Sequence, residues 1–288
     1  MIEATVLRTG TLRVVDYRCR TGPHDAPYPE QHDAFSLSFV RRGSFGYRCE
    51  GVAHELVAGA VMLGRPGSEY VCTHEHHHHG DDCLSFQFSA DALPAIGGAA
   101  EGWRAGALPP LADVVVLGEL ALAAAQGRCD VGLDEAGVLL AARCLSRMSD
   151  TPVRASHGRA VDRRRVVDVA LWIDEHAHDP TLDLDRLAAL AGLSPFHFLR
   201  LFSNALGVTP HQYVVRTRLR RAARWLADSA RAITDVALAS GFDDLSHFVR
   251  TFHRAAGVSP GVFRREARGR RRNLQDRGGR SAHDDLSL

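Results

Sequence analysis

At 288 residues the chain exceeds one small domain and suits two, each large enough to bury a core of its own. Hydrophobic residues at 45% and charged residues at 24% describe an ordinary globular chain. No apolar run approaches the roughly 20 residues of a membrane span, and the opening lacks the basic-then-apolar pattern of a secretory signal, so a cytoplasmic protein without membrane helices is expected. The net charge of +1 conceals an asymmetry: residues 1–153 carry 12 arginines against 19 acids, residues 154–288 carry 23 arginines against 15, and lysine is absent. A basic half joined to an acidic half is the charge pattern of a nucleic-acid reader attached to another module.

In chain order, residues 5–88 read as short strands. Segments 13–19, 35–41, 46–49, 54–56, 61–63, 69–72 and 84–88 alternate or run apolar between Gly, Pro and charged breaks, which predicts a small all-β barrel or jelly roll. From about 111 to 148 the period turns helical, with Leu117, Leu120, Leu122 and Ala124 in one segment and Val138, Leu139, Ala142 and Leu145 in another. His32 near the start of the first core strand reads as a surface or hydrogen-bonded residue, with a place in a pocket wall as the alternative, and Trp103 and Trp172 read as packing residues.

The segment Cys72-Thr-His-Glu-His-His-His-His-Gly-Asp-Asp-Cys83 is dense in sulfur, imidazole and carboxylate, donors that suit Zn²⁺, Ni²⁺ or Cu. On a strand, Cys72, His74 and His76 share one side. Cys72, His74, His76 and Cys83 are therefore candidate ligands of a metal or redox site, set against a His-rich surface turn that binds metal adventitiously. No other cofactor is expected. The six cysteines all precede residue 150 with no CxxC pair, and in a reducing compartment they read as free thiols. No phosphate loop, nucleophile elbow or catalytic carboxylate pair appears, so no enzyme is expected.

Residues 151–162, polar with Pro152 and Gly158, read as a linker between a domain at 1–150 and one at 163–266. The Arg- and Gly-rich remainder, 267–288, lacks the apolar residues needed to offset ordering entropy.

Within 163–266 the pattern is helical and occurs twice. Leu187 to Leu193 aligns with Val236 to Phe242, so that Gly192 falls on Gly241. After one inserted residue, Phe198, Arg200, Phe202, Gly207 and Pro210 fall on Phe248, Arg250, Phe252, Gly257 and Pro260. Each copy predicts helix, tight turn, helix: 185–191, a turn at Gly192, then a helix capped by Ser194 with Pro195 behind it; and a helix capped by Thr234, a turn at Gly241, then one capped by Asp243 or Asp244. Phe198, Leu201, Phe202 and Ala205 form an apolar stripe, leaving Phe196, Leu199, Arg200 and Ser203 outward. The second copy buries Phe248, Phe252 and Ala255 and presents Leu245, Ser246, Val249 and Arg250. Between the copies, 209–226 reads as one amphipathic strut of about 26 Å. Its arginines, Arg216, Arg218, Arg220, Arg221 and Arg224, are unbalanced by nearby acids and read in part as phosphate contacts.

The motifs Leu187-Ala-x-x-Ala-Gly-Leu-Ser194, Phe198-x-Arg-x-Phe202, Gly207-Val-Thr-Pro-x-x-Tyr213, Arg218-Leu-x-x-Ala222, Gly241-Phe-x-Asp-x-Ser-His-Phe248, Arg250-x-Phe252 and Gly257-Val-Ser-Pro-x-x-Phe-Arg264 resemble the AraC/XylS family of bacterial regulators. The resemblance implies a seven-helix DNA-binding domain whose recognition helices lie at about 194–204 and 243–254. Phe196, Leu199, Arg200, Ser203, Leu245, Ser246, Val249 and Arg250 would then face bases, with Arg216 and Arg218 as further DNA contacts. Val40-Arg-Arg-Gly-Ser-Phe-Gly-Tyr-Arg48, Leu56-Val-Ala-Gly59 and Gly64-Arg-Pro-Gly67 look like the cupin-type sensor domain many of these regulators carry, although a second half of the enzymatic cupin ligand motif is missing.

The expected fold is thus α+β in two domains, a cupin-like β-barrel with trailing helices followed by an all-α domain with two helix-turn-helix units. The expected function is a sequence-specific transcriptional regulator answering a small-molecule effector or other signal. Implied partners are double-stranded DNA, the effector, RNA polymerase and a second copy in a homodimer. The alternatives are a metal-dependent cupin enzyme fused to a DNA-binding module, and a metal- or redox-sensing regulator using 72–83.

Overall fold

The computed structural model describes residues 2–10, 12–74, 80–100, 103–150 and 159–268. The linker expected at 151–162 lies outside the described residues except for 159–162, where a helix has already begun; the tail at 267–288 likewise lies outside except for two residues that finish the last helix.

Strands β1 (Ile2–Arg8), β2 (Leu12–Cys19), β3 (Pro29–Gln31), β4 (Phe35–Cys49), β5 (Val52–Val57), β6 (Val61–Gly64), β7 (Glu69–Thr73), β8 (Asp81–Phe88) and β9 (Gly106–Leu108) build the N-terminal half. The two strands expected at 35–41 and 46–49 are one. The register of β4 shifts between Val40 and Arg42, and Gly43, at φ 76°, lets the chain bend without losing its ladder. The first part of β4 pairs with β8 and β6, the second part with β5 and β7, so a single strand serves two sheets. Hydrogen bonding runs β1-β2-β8-β4-β6-β9. Among the described residues this path does not return on itself as the expected closed barrel would: β1 ends it as an edge whose every residue is exposed. Strands β3 and β9, of three residues each, are too short to carry a readable alternation, and β1, which alternates from Ile2 to Val6, lies ahead of the segments expected from the sequence.

Helices α1 (Ala112–Ala125) and α2 (Leu133–Asp150) follow. Leu37, Phe39, Leu84 and Phe86 from the sheet pack against Val114, Ala121, Leu122, Leu140 and Ala141. Helix α1 is apolar on two faces, with Asp113 and Glu119 as its buried charges, because both of those faces are covered. Its other face, Val115, Val116, Leu120 and Ala123, joins a core formed by the C-terminal helices.

Those helices are α3 (Ala160–His176), α4 (Leu184–Leu190), α5 (Pro195–Leu206), α6 (Pro210–Asp228), α7 (Ile233–Ala239), α8 (Leu245–Ala256) and α9 (Pro260–Arg268). Helix α6 opens on a complete capping box: the Gln212 amide N–H donates to Thr209 Oγ1, and the Thr209 amide N–H donates to Gln212 Oε1. Along α6, Tyr213 and Val214 pack on α3 and α5, whereas Leu219, Ala222, Ala223 and Leu226 pack on α8, α9 and α1. None of the described helices is long and apolar enough to cross a membrane.

Candidate nucleic-acid interface

In the first helix-turn-helix unit, Asp183 caps α4 by accepting from the Arg186 amide at 2.8 Å, one turn position earlier than the expected start at Asp185. Gly192 turns the chain at φ 64° and Ser194 precedes Pro195 at the N-cap, but the serine contributes its extended backbone rather than a side-chain hydrogen bond. Phe198, Phe202, Ala205 and Leu206 of α5 are buried. The opposite face leaves Phe196 87% exposed, Arg200 exposed, and Leu199 and Ser203 half-buried.

The second unit repeats this geometry. Helix α7 begins after Ala232, which offers no cap, so Thr234 lies inside the first turn instead of ahead of it. Gly241 makes the turn at φ 97°, where an added Cβ would stand 2.3 Å from the Ala177 carbonyl oxygen. Asp244, not Asp243, caps α8, accepting from the His247 amide at 2.7 Å. Phe248, Phe252 and Ala255 are buried, while Leu245, Ser246 and Arg250 are exposed and Val249 is half-buried against the core below it. Neither the Arg200 nor the Arg250 guanidinium has a hydrogen-bond or ion-pair partner among the described residues.

The arginines of α6 behave differently. Arg218 is buried and donates from Nε to the Ala177 carbonyl and from Nη2 to the Asp179 carbonyl, both at 2.9 Å. It ties the end of α3 to the spine of the domain. Arg216 is half-buried; burial pulls its guanidinium down to about 10, against a weaker opposing pull from Asp113. Arg218 thus serves as a structural tie where a DNA contact was expected, whereas the Arg216 Nη1 makes no hydrogen bond among the described residues.

Arg224 forms a bidentate pair with Glu119, Nε and Nη2 each 3.0 Å from a carboxylate oxygen, and Arg220 approaches the same carboxylate at 3.6 Å and Asp174 at 3.3 Å. Asp174 also accepts from Tyr213 and Thr217. The acids that balance these arginines come from α1 and α3, 105 and 46 residues away in sequence respectively, where counting neighbouring charges could not find them.

Three of the four expected metal ligands line one cavity. His74 and Cys83 lie beside the same buried carboxylate, that of Asp81, and Cys72 lines the same cavity of about 300 Å³ between the sheets. His76 lies outside the described residues. The structure adds two residues that sequence spacing did not offer, Cys19 from β2 and Asp81 from β8. His32 is buried in the cavity wall, 2.9 Å from the Tyr47 hydroxyl and stacked on Tyr70, and desolvation lowers its imidazole to about 4. Trp103 is buried and donates to the Gly64 carbonyl, while Trp172 stacks on His176; both pack, as expected. All six cysteines are free.

A family model described as a helix-turn-helix domain matches residues 187–266. Over 110 residues the chain is 38% identical to the transcriptional activator NphR of a Rhodococcus species, covering 37% of this chain and 32% of that protein. It is 35% identical over 97 residues to the MmsAB operon regulatory protein of Pseudomonas aeruginosa, covering 34% and 31%. It is 39% identical over 100 residues to the transposon Tn10 TetD protein of Escherichia coli, covering 35% of this chain and 72% of TetD. The chain thus spans about a third of the length of the first two regulators. With two helix-turn-helix units in this geometry and these matches across them, the chain belongs to the AraC/XylS family.

Proposed function

We propose that this protein is a transcriptional regulator that binds double-stranded DNA sequence-specifically, with α5 and α8 as recognition helices of a seven-helix domain. The observation that carries the proposal is the repetition: two helices of equal length, each seated on two buried phenylalanines, each presenting an unpartnered arginine at the equivalent position. An arginine on an exposed helix face can donate twice to a guanine edge, whereas Phe196, Leu199, Leu245 and Val249 can contact a thymine methyl or exclude water. Part of the specificity then comes from DNA shape.

The N-terminal half serves in this reading as a cupin-like sensor whose cavity holds a small effector. RNA polymerase and a second copy of the chain are further partners. The family is one of regulators, and catalysis forms no part of the proposal. Sequencing the fragments that the purified full chain retains from a random DNA pool tests it. A recurrent motif supports the reading, and retention of fragments without sequence preference contradicts it.

A further inference from the structure

The most concentrated chemistry outside the DNA-facing helices lies at one end of the cavity between the sheets. Cys19 closes β2, and its direct partner across the ladder is Asp81, the first residue of β8. Cys83, two residues on, points to the same side as Asp81, and both line the cavity. His74 follows β7 and enters from the other sheet. Its Nε2 lies 3.5 Å from the Cys19 sulfur and 3.4 Å from Asp81 Oδ2, and the Cys83 sulfur lies 3.5 Å from Asp81 Oδ1. All four residues are buried.

We propose that Cys19, His74 and Asp81 form a binding site for one divalent cation of borderline softness, with Zn²⁺ the ion that suits the donors and Cys83 beside the Asp81 carboxylate. Metal–sulfur bonds of about 2.3 Å and metal–nitrogen or metal–oxygen bonds of about 2.0–2.2 Å in a tetrahedron place neighbouring donors about 3.3–3.6 Å apart. Two edges of this cluster, His74 Nε2 to the Cys19 sulfur at 3.5 Å and His74 Nε2 to Asp81 Oδ2 at 3.4 Å, have that length. One donor atom each from Cys19, His74 and Asp81 also lie within 4.8 Å of one another. A thiolate and an imidazole select Zn²⁺ over Mg²⁺ or Ca²⁺, which require oxygen.

The backbone holds the donors in place. Gly80, at φ 64°, would carry a Cβ 2.2 Å from the Cys19 carbonyl oxygen, and Gly43, at φ 76°, one 2.0 Å from the Gly80 oxygen. Two glycines in contact thus let β2, β4 and β8 meet just where Cys19 and Asp81 pair.

The set differs from the Cys72, His74, His76 and Cys83 combination suggested by sequence spacing, and the two can be told apart. Full-length protein without a histidine tag is stripped with a chelator and dialysed against Zn²⁺, and bound metal is counted by mass spectrometry. The Co²⁺ form is examined for sulfur-to-cobalt charge-transfer absorption. One ion per chain is expected, with that absorption present. Cys19→Ser and Asp81→Asn should each weaken Zn²⁺ binding at least tenfold, while Cys129→Ser and replacement of the histidines at 76–79 by asparagine leave the count at one. Metal that follows the 76–79 histidines and ignores Cys19 and Asp81 overturns the proposal. So does a bound Co²⁺ without sulfur absorption in the unsubstituted protein, a readout that needs no variant to fold.

Discussion

Three arginines expected at the DNA have two different fates, and the difference is burial. Arg200 and Arg250 stand exposed without partners, whereas Arg218 is buried with two of its donors on carbonyl oxygens. Arg200→Ala and Arg250→Ala should each cost about 1–3 kcal/mol of specific DNA binding with no change in melting temperature, read by titration against operator and random competitor. Arg218→Ala should do the reverse. It leaves the Ala177 and Asp179 carbonyls without their donor, a loss of about 1–3 kcal/mol of stability that thermal melting detects without any DNA present. An Arg218→Ala protein that melts like its parent and binds DNA weakly would return that side chain to the phosphate-contact role.

At the scale of the element, the helix faces were legible and some of their ends were not. The 3.6-residue spacing of Phe198, Phe202 and Ala205, and of Phe248, Phe252 and Ala255, fixed which side is buried, because a stripe of that width has one way to face a core. Phe202→Ala and Phe252→Ala should therefore destabilise the chain by about 3–5 kcal/mol each in denaturant titrations. Caps were harder to read: Asp183 and Asp185, and Asp243 and Asp244, are near neighbours of equal capping chemistry, between which only backbone geometry chooses, and α7 starts from Ala232 although Thr234 is the better cap by chemistry. Gly241→Ala should also destabilise, since the new methyl meets the Ala177 oxygen and the backbone has positive φ; an unaltered denaturation midpoint would mean that the turn relaxes. Strand β4 was read as two strands because Arg41, Arg42 and Gly43 interrupt its alternation, although a shift in register carries the ladder across them. The cavity cluster was half legible: His74 and Cys83 lie close in sequence, but Cys19 reaches them only through β2-β8 pairing, 55 residues from His74.

Over the whole molecule, the two halves are packed rather than merely tethered. Helix α1 lends one face to the sheets and the other to α6 and α8, Val57 of β5 joins the core around α3 and α5, and the Glu119 pair with Arg224 and Arg220 crosses the same boundary. Sequence could not show this, since a linker and a change in charge sign suggest independence. Glu119 is 1% exposed, so Glu119→Gln should cost on the order of 3 kcal/mol, the low end for a broken buried pair because Arg224 remains partly in water. The measurement is chemical denaturation of the full chain. A loss under about 0.5 kcal/mol, the level of ordinary surface changes, would mean the boundary is held by apolar contact alone.

The central claim is that α5 and α8 each read their own stretch of one DNA face, and the most direct test is positional. Operator selections are repeated with Arg200→Ala and Arg250→Ala, and the base preferences lost by each variant are mapped. Two recognition helices in successive major grooves predict that the variants relax different positions, about 10 base pairs apart. Relaxation at the same positions, or equal weakening on every sequence, would contradict the account.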